Sequence, residues 1–450
     1  MSKFSKLVDN PNGFFADYIK KKGNNSLVGD IVKKSSILND FIKKNSTVKK
    51  IVKPPIKNLA SSINPLAKVN PNPINLEYHV NFFKKHTTIL HTGEGLKAGL
   101  AHLKLWIPSF LESDINFLIL VRDISLFSAL KEEYPWINIA YAKRPIDIED
   151  LIVKLPFVND IFYPSSTGNN IHLVRFSYLN HIFIGHGDSD KASSAHKGLR
   201  LYDEIWTAGQ AHIDRFFNAE FSSKHITFKK VGRPNSYKII NNCQLDWKQR
   251  KNRILYLPTW EGFMEEANYS SIHISSQILE LISSKFNTHI SAKYHPLTGN
   301  RAVAYQNMEQ QLRSNFPEQI DNITIVDKSS TTDFVLSNNN IFICDMSAVI
   351  SECLAANGPI FVYIPKDKVL NIAASNMRYE DYCYAFSDVT ELEKSLNEVL
   401  SGNDYLAVKR KEAIDYLIGY NETLDKRFIK ELSNLSSKVS TTLPSRFFDF

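Results

Sequence analysis

Two histidines stand at the ends of apolar runs, where a side chain can meet a ligand: His186 in Ile184-Gly185-His186-Gly187, and His295 in Tyr294-His295-Pro296. An imidazole held between glycines at a strand end can take a proton from a hydroxyl near neutral pH. The glycines let a ligand approach the backbone closely. Lys191, Ser193 and Ser194 follow in one polar loop, and a lysine there is a natural phosphate partner. Pro296 keeps the His295 backbone extended and aims its side chain into a loop that could meet a pyrophosphate. Asp345-Met346-Ser347 stands between an apolar run and a helical pattern. Ser347 and the N–H groups of that helix start could cradle phosphate, with Glu352 about a turn along to reach a ribose. Each signal also has a plainer reading, as a core histidine, a surface lysine or an ordinary helix cap. His91-Thr92-Gly93-Glu94-Gly95 reads as a close-approach turn beside an acceptor cleft, although full glycine-rich nucleotide patterns are absent. No G-x-S-x-G or HExxH occurs, so hydrolase and metalloprotease readings have no support.

Positioning these residues requires an α/β framework. Short apolar strands are expected at 87–91, 117–121, 137–142, 160–163, 181–184, 202–208 and 226–231. A second series follows at 253–257, 288–294, 323–326, 341–344 and 360–364, with helical patterns between most of them. Such alternation predicts parallel sheets in doubly wound domains. Ligands of such sheets bind outside the carboxyl ends of the strands, so two domains in tandem imply a cleft between them. The expected division is a basic helical arm and Pro/Asn-rich linker over 1–75, an acceptor domain over 76–235, a nucleotide-donor domain over 236–425 and a tail over 426–450.

Bulk composition agrees with a soluble globular protein: 450 residues, 43% hydrophobic, 22% charged, net charge +7. Residues 1–57 hold thirteen lysines against four aspartates, interleaved with apolar residues at helical spacing. That pattern fits either contact with an anionic membrane surface or polyanion, or a solvated arm packing on the body. No nucleic-acid-binding motif accompanies the charge, so nucleic acid is not expected as a partner. No apolar run is long enough to span a membrane, and no secretory signal is present. The expected place is the cytoplasm, free or peripheral on the inner face of the membrane. The four cysteines lack metal or disulfide spacing and read as reduced thiols.

Several of these pieces, in order over roughly 180–365, resemble the CDP-glycerol glycerophosphotransferase family, the teichoic-acid polymerases and primases with relatives in capsule synthesis. The family's HG-T-P-x-K is similar to His186-Gly187-Asp188-Ser189-Asp190-Lys191, and its G-x-P-R element resembles Gly232-Arg233-Pro234. Its P-T-W/Y loop matches Pro258-Thr259-Trp260, its H-P matches His295-Pro296, and its S-D-x-S-S is similar to Cys344-Asp345-Met346-Ser347-Ala348. The resemblance implies a GT-B fold, a cytidine-diphosphate donor and an inverting transfer without a metal or other cofactor. It implies His186 as base on the acceptor hydroxyl, with His295, Ser347 and Thr259 on the donor phosphates and Glu352 on the ribose. Lys191 and Arg233 join the donor side, while His91, Gly93, Gly95 and Asp188 line the acceptor cleft. The activity so implied moves a polyol phosphate or sugar from a CDP-type donor to an acceptor hydroxyl of a saccharide or polyol-phosphate polymer. Three departures bear on the donor: Asp188-Ser189 replaces Thr-Pro, Glu261 stands where an arginine is frequent, and Ala348 replaces the second serine. Acidic residues beside the transferred group would suit a less charged donor. A CMP- or UDP-sugar transferase is therefore the alternative. A sugar-nucleotide epimerase and a polyanion- or membrane-binding assembly factor without chemistry are further readings.

Overall fold

The computed structural model describes residues 86–450 except 188, 263, 266–267, 317–321, 328–329, 421–425 and 437–450. The expected basic arm and linker over 1–75, Asp188 and the end of the expected tail lie outside the described residues. Seven strands form the first sheet: β1 (Thr88–Thr92), β2 (Phe117–Val121), β3 (Ile139–Tyr141), β4 (Asp160–Tyr163), β5 (Asn180–Phe183), β6 (Glu204–Thr207) and β7 (Thr227–Lys230). Their order is β3-β2-β1-β4-β5-β6-β7, all parallel. The second sheet contains β8 (Arg253–Leu257), β9 (His289–Ala292), β10 (Ile323–Ile325), β11 (Ile341–Asp345), β12 (Ile360–Tyr363) and β13 (Tyr384–Phe386). Its order is β10-β9-β8-β11-β12-β13, again parallel throughout.

The central strands are apolar because helices cover both faces, so β1, β2, β11 and β12 are buried along their whole length. β7, at the edge, reads Thr-Phe-Lys-Lys and is exposed at both ends, where charge discourages further strand pairing. In the first sheet the chain works outward through β2 and β3, then returns to β4. In the second it works outward through β9 and β10, then returns to β11. The strand order therefore reverses between β1 and β4 and between β8 and β11, and these are the two crevices where such sheets take ligands.

Three elements differ from expectation. The helix expected at 169–178 is only two short turns, Gly168–Asn170 and Ile171–Val174. Asn170 instead turns its buried amide to the Ser165 carbonyl and the Tyr202 hydroxyl, each at 2.8 Å. Strand β13 was not anticipated, since three residues carry no readable alternation. Part of the expected tail, Arg427–Ser436, is a helix on the first domain. Its Phe428 packs against Trp106 and Trp206, with ring centroids 4.7 and 5.6 Å apart, and Leu432 and Leu435 join the same core.

The two sheets are tied together at the loop after β5. Arg215, on helix Gln210–Phe217, donates to Asp190 Oδ1 from Nε at 2.9 Å and Nη2 at 2.8 Å, with both side chains buried. From the second domain, the Ala373 N–H donates to the Asp190 carbonyl at 2.8 Å, and Lys191 pairs with Ile372 in an antiparallel bridge. The Asp190 N–H donates to the Tyr379 hydroxyl at 3.1 Å. Arg215→Ala leaves the Asp190 carboxylate buried without its cation and should cost about 3–5 kcal/mol of stability, read by urea unfolding. A loss under about 1 kcal/mol would show that this pair does not hold the loop.

Candidate functional site

His186 is fixed by the first domain's own backbone. Gly185, at φ +59°, makes the left-handed turn that brings the chain off β5. The His186 Nδ1–H donates to the Pro164 carbonyl at 3.2 Å, which leaves Nε2 with its lone pair available. The ring is exposed by area yet crowded on its flanks, as befits a group lining a concave wall. Desolvation lowers its pKa, the bond to Pro164 opposes this, and the nearby Arg233 cation lowers it further. His186 is therefore poised as a neutral base.

His295, at the end of β9, has the opposite tautomer. Its Nδ1 accepts the Leu297 N–H at 3.1 Å, so Nε2 carries the proton and is a donor. Its ring stacks on Trp260 at 6.2 Å between centroids and 20° between planes. Trp260 follows Thr259 in the loop after β8. The Thr259 N–H donates to Asp345 Oδ2 at 2.7 Å, joining the loops after β8 and β11 across the reversal point of the second sheet.

Lys191 crosses from the first domain into this loop pair. Its Nζ lies 3.4 Å from Thr259 Oγ1 and 5.8 Å from the Tyr269 ring centroid. Desolvation lowers the lysine pKa and Asp345 opposes the shift. Burial pushes the Asp345 carboxyl up to about 7, against hydrogen bonds from Ser271 and Thr259 and the pull of Lys191. Gly187 meets the second domain just as closely: a Cβ there would lie 2.8 Å from that of Ala348, the neighbour of Ser347. Ser347 is half-buried on the same loop. Arg233, buried after the φ +74° turn at Gly232, acts electrostatically on both His186 and Glu352. Glu352 is half-buried by area but closely surrounded, and desolvation pushes it up to about 7 while Arg233 pulls it down.

His186, Lys191, Arg233, Thr259, Ser347 and His295 thus sit on loops that meet, with Glu352 on the helix Val349–Ala355 that follows the Ser347 loop. The expected acceptor-cleft residues do not share this. His91 is fully buried within β1, donates from Nδ1 to the Leu120 carbonyl at 2.9 Å, and is pushed by burial down to about 3. It packs the sheet rather than lining a cleft. Gly93 is tight because a Cβ would lie 2.2 Å from Thr167 Oγ1, and Gly95 precedes a helix with nothing near it. The tight approach at Gly93 is to the protein's own Thr167 and Asn169. Among the described residues no group of three His, Cys, Asp or Glu is placed to hold a metal ion, and all four cysteines are buried and unbridged.

Glu261 also corrects an expectation. Its carboxylate turns inward and accepts from the Gly299 N–H at 2.9 and 3.1 Å and the Ala302 N–H at 3.1 Å. It is 1% exposed, so its carboxylate caps a loop rather than standing open to a ligand.

Residues 184–426, more than half of the chain, match the family model described as CDP-glycerol:poly(glycerophosphate) glycerophosphotransferase. The chain belongs to this family. It is therefore an enzyme of the glycerophosphotransferase type. Among solved structures it is similar to the wall teichoic acid polymerase TagF, at 12% identity and TM-score 0.51, covering 80% of this chain and 90% of that one. It is similar also to the UDP-GlcNAc 2-epimerase from Neisseria meningitidis bound to UDP-GlcNAc, at 11% identity and TM-score 0.51, covering 78% and 100%. These likenesses show the fold, GT-B, with two doubly wound domains facing a cleft. No curated protein matches the sequence significantly.

One residue of the site was not singled out from the sequence: His102, on helix α1 (Leu96–Glu112), stacks face to face on His186. Its only sequence signal is a polar residue four positions before Trp106 on the apolar face of that helix.

Two outcomes follow for the loops of the second domain. Glu261→Ala strands the buried Gly299 N–H and the part-buried Ala302 N–H and should cost about 1–3 kcal/mol, read as a lowered urea midpoint with donor preference unchanged. A changed donor preference at full stability would place Glu261 at the ligand instead. Asp345 has a folded pKa of about 7 against 3.8 unfolded, so it binds its proton more tightly when folded. Its contribution is present at low pH and is lost as pH rises from about 4 to about 7. The stability of wild type relative to Asp345→Asn should therefore fall across that window; a flat difference would contradict the burial argument.

Proposed function

We propose that this chain transfers a polyol phosphate, glycerol- or ribitol-phosphate, from a CDP-linked donor to a hydroxyl of a teichoic-acid-like, capsule or other surface polymer. The observation that carries this reading is the pair of opposite tautomers on loops that meet. His186 offers a lone pair from one domain and His295 an N–H from the other. Group transfer from a diphosphate needs both, a base on the attacking oxygen and a donor on the leaving one. Family membership supports a CDP-type donor. With Glu261 turned away from the cleft, the described residues give no reason to prefer a sugar over a charged polyol phosphate.

In this mechanism the acceptor hydroxyl oxygen bonds to the phosphorus that bears the polyol, and its proton passes to His186 Nε2. The bond from that phosphorus to the bridging oxygen breaks, its electron pair stays on the departing CMP, and His295 Nε2–H donates to the leaving phosphate. Lys191 and Arg233 neutralise the diphosphate, Thr259 and Ser347 hold its oxygens, and Glu352 holds the ribose. These cations and donors take the part a metal ion plays in other transferases, so no cofactor is proposed. The site of action is the cytoplasmic side of the cell envelope, with residues 1–57 as the contact to an anionic surface. Among the described residues no helix is long and apolar enough to cross a membrane.

The test is nucleotide binding by thermal shift followed by transfer assays with CDP-glycerol and CDP-ribitol. CDP should raise the melting temperature more than UDP, GDP or ADP, and His295→Ala should abolish the difference. His186→Gln should lower kcat by about 10²–10⁴-fold while CDP still binds. No shift with any nucleotide would remove the donor-site assignment.

A further inference from the structure

We propose that His102 is a positioning residue for His186, holding the imidazole plane from helix α1 so that Nε2 stays aimed at the acceptor hydroxyl. The word acceptor rests on the transferase reading above; the contact between the rings does not. The two imidazoles lie parallel, 3.8 Å between centroids and 9° between planes. Four residues on, along the same face of α1, Trp106 Nε1–H donates to the Gly185 carbonyl at 2.7 Å. One helix therefore grips both the backbone that precedes His186 and the face of its ring. The Pro164 carbonyl holds the ring's edge through Nδ1–H. Turning His186 about its side-chain bonds would break the Pro164 hydrogen bond and the stack together.

The stack also has a charge consequence. Two imidazoles at this separation cannot both be cationic at modest cost. Burial and the neighbouring His186 push His102 down to about 3, and its Nδ1 is buried without a hydrogen-bond partner. His102 therefore stays neutral while His186 takes the proton, and a neutral ring face stacked on an imidazolium favours it. Among the described residues, the other charged group acting on His186 is Arg233, from the start of helix Pro234–Asn242. Neutral His102 shields the His186 ring from water without adding a second positive charge.

The experiment compares His102→Ala with His102→Phe in the full chain. The His186 ring resonance is followed by NMR against pH, assigned through its loss in His186→Gln. This readout needs no turnover. In the wild type His186 should titrate below the ordinary value of 6.5, because desolvation by its crowded flanks lowers it. His102→Ala opens the ring face to water and should move the midpoint up toward that value. His102→Phe keeps the stack and should leave it near the wild-type position. With CDP-glycerol as donor, His102→Ala should lower kcat about tenfold or more with donor KM unchanged, while His102→Phe stays within about threefold. The acid limb of the rate profile should move with the NMR midpoint. An unmoved midpoint in His102→Ala, or equal losses in both variants, would overturn the proposal. A midpoint that moves as stated in a protein that does not turn over any CDP-polyol would leave the positioning role standing and remove the transferase reading.

Discussion

The buried contact between Asp190 and Arg215 governs the placement of the reactive loops. It fixes the chain just after His186-Gly187, and the same residue's carbonyl and N–H are taken by Ala373 and Tyr379 of the second domain. A charge pair inside protein is seldom a net gain in stability, but it specifies geometry strongly, because either partner alone is costly. Here what it specifies is where Lys191 stands relative to Thr259 and where Gly187 meets Ala348. Move this loop and the Lys191 cation of the first domain no longer reaches Thr259 of the second.

Desolvation sets the electrical state of the site in the same place. It lowers His186 and Lys191 and raises Asp345 and Glu352, so every one of these groups is drawn toward neutrality. Arg233 and Lys191 work against this by Coulomb attraction to the two carboxyls. In such a crowded, poorly hydrated place electrostatic interactions are strengthened, since water screens them less. The neutral base follows from desolvation, while the Lys191 cation is kept against it by the neighbouring Asp345.

Much of this was legible in the chain. Alternating short apolar runs gave both sheets, because strands buried on two faces must be apolar throughout. Glycine-flanked His186 and proline-flanked His295 marked strand ends, because those neighbours have few backbone options. The elements that escaped were those with no local pattern. β13 is too short to alternate, and Arg427–Ser436 gains its meaning only from the Trp106, Phe110 and Trp206 surface that it covers. His91 misled for a related reason: a histidine at a strand end looks the same in sequence whether it faces a cleft or donates to Leu120 inside the sheet.

The sequence by itself determined the fold class, the order of the motifs and the two histidines, all of which depend on residue type and near neighbours. Only the tertiary structure decided which histidine nitrogen bears the proton, since Pro164 and the Leu297 N–H make that choice. It also decided that Glu261 faces the Gly299 backbone and that His102 lies on His186, 84 positions away by number. Tautomer, carboxylate direction and ring stacking are properties of contacts between distant segments, and no local pattern encodes them.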